Sequence, residues 1–350
     1  MALGLSLPHE NQKQASRLWE CFMNKSLRHR IVRSFACTAV AAGMAASAQA
    51  GTLTLGHTTW VGYGTLYLAR DLGYFKEQGL DIEFTVIEES AMYMAAQASG
   101  KLSGSASTID EILKYRSKNF CFKAVAALDE SHGGDGVLVG NEVTSLEQLK
   151  GKAVAVNEGS VSQFWLSYLL KQKGMSMSDL EIQNMTADDA ATAFIAGRIP
   201  AAVTWEPHLS LVKAKGQGKV LVDSSETPGV IVDVVALSCD VIEKQPEDVK
   251  ALVAGLYKAV EYTKTHPQEA YEIMAKGVGG YLSDPKDLAE AAKGVKFYDQ
   301  AMSEKLLGTP GKPGDIAGVI SLANETWTSL QGKPYAVSYE DLVDTSFVTP

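Results

Sequence analysis

The chain has 350 residues, 46% of them hydrophobic and 21% charged, with a formal net charge of −9 at pH 7. That length suits two domains of ordinary size, and the sequence shows no low-complexity tract, run of like charges or repeat of solenoid period. An acidic chain of this kind is no candidate for binding nucleic acid or an anionic membrane surface.

The N-terminus carries the strongest local signal. From Met23 the sequence reads MNKSLRHRIVR, then SFACTAVAAGMAASAQA, then GTLTLG. A basic flank, a short apolar stretch and the small-x-small site Ala48-Gln49-Ala50 are the parts of a secretory signal peptide. A buried helix would not place Lys25, Arg28, Arg30 and Arg33 on one flank only, and the stretch from Ser34 is too short and Ala-rich for a membrane span. The expectation is a periplasmic protein cleaved after Ala50, with 23–50 as signal peptide, 1–22 as an upstream extension and Met23 as the true start. Cys37 lacks the Leu and the apolar lead-in of a lipidation site. Residues 1–50 hold six of the 32 Lys/Arg and two of the 41 Asp/Glu, so the remainder carries −13.

Downstream, short apolar runs alternate with helical patterns, which is the sign of βαβ units. Strands are predicted over 52–56, 82–87, 103–107 and 120–128, with helices over 63–72, 91–99 and 110–116 between them. A polar, Gly-rich segment from Asp129 to Gly136 follows, and then the pattern restarts. Strands are predicted over 153–156, 182–185, 200–204, 219–223 and 231–237, with helices over 160–173, 188–196 and 208–215. From Glu247 to Gly332 the sequence reads as helical, with breaks at Pro267, Pro285 and the Gly-containing stretches 277–280 and 308–314. Two mixed sheets that part near Gly133 and rejoin near Asp233 imply an α/β fold of two lobes joined by two hinge crossings. The first lobe is 51–137 plus 233–350, and the second is an insertion over 138–232. Such folds place a ligand at C-terminal strand ends, beside helix N-termini.

The same region carries Trp60-x-Gly62-Tyr63-Gly64, Leu68-Ala69-Arg70-Asp71-Leu72-Gly73-Tyr74-Phe75 and Gly79-Leu80-Asp81-Ile82. Further on come Gly104-Ser105-Ala106 leading to Asp110, Leu128-Asp129-x-Ser131-x-Gly133-Gly134-Asp135-Gly136 and Leu149-Lys150-Gly151-Lys152. Gly159-Ser160 and Ala202-Val203-Thr204-Trp205-Glu206-Pro207 complete the series. In this order and spacing, almost all of 51–350 resembles the periplasmic binding proteins of ABC importers for nitrate, aliphatic sulfonates, taurine and thiamine-pyrimidine precursors. The resemblance implies a type II-like, hinged two-lobe fold, a small-molecule ligand, permease subunits as partners, and neither catalysis nor a cofactor. The expected protein is a monomer.

Each candidate site residue has a plain structural alternative. Trp60 and Tyr63 follow the first strand, where aromatic faces either meet a flat or cationic ligand or pack the rim. Ser107, Thr108 and Asp110 stand at a strand end and helix start, where they cap the helix or, as the resemblance implies, line the cleft. Glu88 follows the second strand in the same way. Ser160 and Ser162 open the long helix of the second lobe, whose free N–H groups suit a sulfonate or carboxylate oxygen, unless a cap takes them. Trp205 and Glu206 follow a strand, and Asp129 and Asp233 fall on the crossings as hinge or ligand residues.

Glu88, Asp110, Asp129, Glu206 and Asp233 are all acidic, and no Lys or Arg stands among the candidates. Burying several carboxylates is costly unless a positive partner arrives. An amine, amidine or zwitterion such as taurine is therefore expected over a bare inorganic anion, with Glu206 and Asp110 facing the positive group.

The rival class is an enzyme on the same fold. Pyrimidine-precursor synthases that resemble this family carry a Cys-rich catalytic stretch, which this chain lacks, and chorismate-dehydratase-like enzymes work in the cytoplasm. No Ser-His-Asp spacing, H-E-x-x-H or phosphate loop occurs, and no C-x-x-C or His cluster offers a metal site. Cys121 starts the strand running to the first crossing and Cys239 ends the strand returning from the second. Both lie away from the hinge, and the expectation is that they stay free.

Overall fold

The computed structural model describes residues 51–117 and 119–348, so the signal peptide, its cleavage site and the upstream extension lie outside the described residues. The first lobe opens with β1 (Gly51–His57), β2 (Leu80–Val86), β3 (Gly104–Thr108) and β4 (Phe122–Ser131), separated by α1 (Gly64–Asp71), α2 (Ser90–Ala98) and α3 (Ile109–Tyr115). Leu53, Leu55 and the run Ala124–Leu128 are fully buried. Continuous apolar runs of this kind suit strands covered on both faces, and each large side chain so buried contributes about 1.5–3 kcal/mol.

The chain then builds a second sheet from β5 (Asp135–Val139), β6 (Ala153–Val156), β7 (Glu181–Asn184), β8 (Ala201–Trp205) and β9 (Lys219–Asp223), with α4 (Val161–Gln172), α5 (Ala187–Ile195) and α6 (His208–Lys215) as connections. β10 (Val232–Ser238) returns to the first sheet and pairs antiparallel with both β3 and β4. The remainder is α7 (Cys239–Lys244), α8 (Pro246–Thr265), α9 (Pro267–Val278), α10 (Pro285–Ala291), β11 (Val295–Phe297), α11 (Gln300–Leu307) and α12 (Ile316–Gln331). Strand orders are β11-β4-β10-β3-β1-β2 and β7-β6-β8-β5-β9. α12 packs on α3 of one lobe and α4 of the other. Among the described residues no helix is long and apolar enough to cross a membrane.

Three expectations need correction. The sheets part at Gly133–Gly134, near the expected Gly133, but β5 lies whole within the second sheet, so residues 135–137 belong there and not to the first lobe. Within the polar, Gly-rich segment from Asp129 to Gly136, β4 runs on to Ser131 and β5 begins at Asp135, so the turn is confined to 132–134. Second, the helical C-terminal region contains β11, which pairs antiparallel with the hinge end of β4, Val295 opposite Ser131 and Phe297 opposite Asp129.

The third correction concerns the cysteines. Phe122 on β4 faces Ser238 on β10, so the next residues outward, Cys121 and Cys239, face each other. Their Cα atoms are 5.4 Å apart and a disulfide joins them. One antiparallel register brings together two residues separated by 118 positions. A native disulfide of this kind contributes about 2–5 kcal/mol.

Candidate functional site

The strand ends of the two sheets meet around a cavity of about 20 Å³, room for roughly one water. Thr58, Trp60, Tyr63, Thr108, Glu111, Ile231 and Asp233 line it from the first lobe and the returning crossing, and Asp135, Val161 and Trp205 from the second lobe. Several hydrogen bonds cross between the lobes, three of them beside this cavity. Val161 N donates to Glu111 Oε1 at 3.0 Å, Trp205 Nε1 to the Thr59 carbonyl at 2.9 Å, and Lys114 Nζ to the Gly159 carbonyl at 3.1 Å. Gly159 has φ +90°, and a Cβ there would lie 2.1 Å from Lys114 Nζ. Only glycine suits that backbone and that approach.

On the first sheet the register sets three polar residues in a row. Asp233 on β10 stands directly opposite Thr108 on β3 and directly opposite Asp129 on β4. Tyr63 Oη donates to Asp233 Oδ1 at 2.6 Å, and Trp60 Nε1 donates to Asp129 Oδ1 at 3.0 Å. Asp129 Oδ2 and Thr108 Oγ1 are buried without a hydrogen-bond partner. A Cβ at position 62 would lie 2.2 Å from Asp129 Oδ2, which explains glycine there.

The electrostatics follow from burial. It pushes Asp129 up to about 7, opposed by the Trp60 bond and reinforced by Asp135 and Glu130. Asp135 is likewise pushed up to about 7 by burial. Burial first, then the neighbouring Asp129, hold Asp233 well above the usual carboxylate range. No Lys or Arg lines the cavity. His57, beside Thr58, is held down at about 4 by burial and supplies no positive charge at neutral pH.

The expected residues divide. Trp60, Tyr63, Thr108, Trp205 and Asp233 line the cavity, and Asp129 sits behind Trp60. Asp110 is buried but does not line it; Glu111, the next residue on α3, does. Ser107 Oγ donates to Glu111 at 2.7 Å and so supports the cavity from behind. Ser160 is the cap of α4, accepting from Ser162 N at 3.2 Å, and neither Ser160 nor Ser162 reaches the cavity. Glu88 instead holds the Thr59 loop, accepting from Thr59 N at 3.1 Å and Thr59 Oγ1 at 2.6 Å. Glu206 points away from the cavity and caps α6 through Ser210 N at 3.0 Å and Ser210 Oγ at 2.8 Å. Glu206 and Asp110, expected to face a positive group, therefore do not line the cavity; the carboxylates that do are Glu111, Asp135 and Asp233.

The profile described as NMT1/THI5 like matches residues 61–270, more than half of the chain. The chain belongs to the NMT1/THI5-like family. This NMT1/THI5-like chain is 24% identical over 285 residues to the taurine-binding periplasmic protein of Escherichia coli (strain K12), covering 81% of this chain and 80% of that one. It is also 26% identical over 224 residues to a 4-amino-5-hydroxymethyl-2-methylpyrimidine phosphate synthase of Candida albicans (strain WO-1), covering 59% and 65%. Among solved structures, the alkanesulfonate-binding protein SsuA from Xanthomonas axonopodis pv. citri bound to MOPS matches with a TM-score of 0.70 at 15% identity, covering 85% of this chain and 99% of that one. That likeness shows the fold, the two-lobed fold of periplasmic binding proteins.

Proposed function

We propose that this protein is an extracytoplasmic solute-binding protein that closes its lobes on a small, positively charged organic molecule and presents it to the permease of an ABC importer. The observation that carries this reading is the placement of Asp135 and Asp233 in the lining of one interlobe cavity, with Asp129 directly opposite Asp233 behind Trp60, and no Lys or Arg in that lining. Facing carboxylates in a dry site repel each other, and an arriving cation turns that cost into attraction. Trp60, Tyr63 and Trp205 offer the aromatic faces that hold a cationic or flat group. Ligand contact falls to these aromatics, Thr108, Asp135 and Asp233, with Asp129 behind Trp60. The taurine-binding relative and the fold of SsuA support the transport role.

Export, with cleavage after Ala50, would place the Cys121–Cys239 disulfide in an oxidising compartment. The reading is tested by thermal shift with matched probes, benzamidine against its neutral counterpart benzamide. Benzamidine should raise Tm and benzamide should not. An equal response to both would overturn the cationic assignment.

A further inference from the structure

We infer that Glu111 stands in for the anionic group that a sulfonate or carboxylate ligand would otherwise bring, so that the solute is a cation with no acid group of its own. This rests on the reading of the cleft as a cation site and narrows it, since a zwitterion such as taurine then drops out.

The start of α4 is where an anionic ligand would gain backbone N–H groups and the positive end of the helix dipole. Here every one of those donors is already engaged. Ser160 N donates to the Asn157 carbonyl at 3.3 Å, Val161 N to Glu111 Oε1 at 3.0 Å, Ser162 N to Ser160 Oγ at 3.2 Å, and Gln163 N to the Ser160 carbonyl at 3.1 Å. These are the four N–H groups that a helix leaves open at its start. The one pointing across the cleft is taken by a carboxylate from the other lobe.

Glu111 is held for this purpose. Ser90 Oγ donates to its Oε1 at 2.9 Å, Ser107 Oγ to its Oε2 at 2.7 Å, and Tyr93 Oη also to Oε2. All three hydroxyls belong to the first lobe and are buried. With Val161 N they make four donors on two oxygens, which fills the lone-pair capacity of an ionised carboxylate. Glu111 therefore has nothing left to offer a ligand cation. It is a positioning residue that answers the second-lobe helix when the lobes close. Unanswered acceptors on the sheet opposite are Asp129 Oδ2 and Thr108 Oγ1, and on the side of α4 Asn157 Oδ1 and Ser162 Oγ also lack a partner. A ligand sulfonate at the α4 start would meet no free backbone N–H and would face the Glu111 charge, a repulsive element of the kind that sets specificity.

The test is calorimetric titration of taurine and of ethanesulfonate into the native protein and into Glu111→Ala, at constant ionic strength. The native protein should respond to neither, and Glu111→Ala should bind taurine about tenfold more tightly or better. Glu111→Gln, which keeps the side-chain shape, should move in the same direction and covers a failure of the Ala variant to fold. Taurine binding to the native protein as tightly as to the variants would overturn the inference. So would the absence of a response in every variant, which would leave Glu111 as scaffold only. The benzamidine and benzamide pair keeps the two readings apart. If that preference holds while taurine binds the native protein, only this inference falls; if the preference is absent, the cleft reading falls as well.

Discussion

The sheet row of the first lobe and the backbone amides that open α4 treat polar groups in opposite ways. On the first sheet, Asp129 and Asp233 face each other across neighbouring strands with one side-chain donor each, and Asp129 Oδ2 and Thr108 Oγ1 have no partner. At the start of α4, every amide is paired. A buried polar group left unpaired costs about 1–3 kcal/mol, so the two regions differ in what they do for the fold. Satisfied groups hold the lobes in register. Unsatisfied ones lower stability and are found where a protein gives up stability for function.

The contrast is broken most directly at Asp233. Asp233→Ala should weaken benzamidine binding by about 2–5 kcal/mol, the penalty for removing one half of a desolvated charge pair. Calorimetry reads this, and unchanged affinity would move the cation away from the sheet row.

Stability should then separate the two regions by sign. Glu111→Gln leaves several buried donors poorly matched and should cost about 1–3 kcal/mol in urea unfolding. Asp129→Asn removes one of two facing carboxylates and should raise the midpoint at pH 8. If both substitutions destabilise equally, the regions do not differ in kind.

The pH dependence sharpens the same point. Asp129 and Asp135 are held near 7 in the folded chain, against an ordinary value of about 4. Between about pH 4 and 7 the folded chain keeps protons that the unfolded chain releases, so these groups make stability fall as pH rises through that window. The difference in unfolding midpoint between the native chain and Asp129→Asn, measured at pH 5, 6 and 7, should widen with pH. A constant difference would take Asp129 out of the titration. The smallest effect belongs to Glu206, which caps α6 outside the cavity. Glu206→Gln should leave benzamidine affinity within about 0.5 kcal/mol of native, as for a substitution remote from the site.

Much of this was legible in the sequence, for identifiable reasons. β6, β9 and α6 lie at the bounds that their apolar runs and breakers define; α6, for instance, stops at Gly216, with φ +62°. β11 was not legible, because three residues in helical surroundings carry no period and its pairing with β4 is a tertiary fact. The site was read to within a residue and missed by that residue. Asp110 and Glu111 are adjacent acids on one helix, about 100° apart around its axis, so one faces the cavity and the other does not. Trp205 ends β8 at the cleft, and Glu206 lies past the strand in the turn to α6, where Ser210 takes its carboxylate. Asp135 stands in the polar, Gly-rich segment and was not among the expected site residues. The disulfide needed only the register of β4 against β10, which strand patterns alone do not supply.

The central claim is that a cation is held between the lobes by carboxylates near neutral pKa. Titrating benzamidine and benzamide at pH 7 in two buffers of different ionisation enthalpy tests it most directly. The expected result is tighter binding of benzamidine with release of protons, as Asp129 and Asp135 ionise against the bound charge. Equal binding of both probes, or benzamidine binding with no proton release, would contradict it.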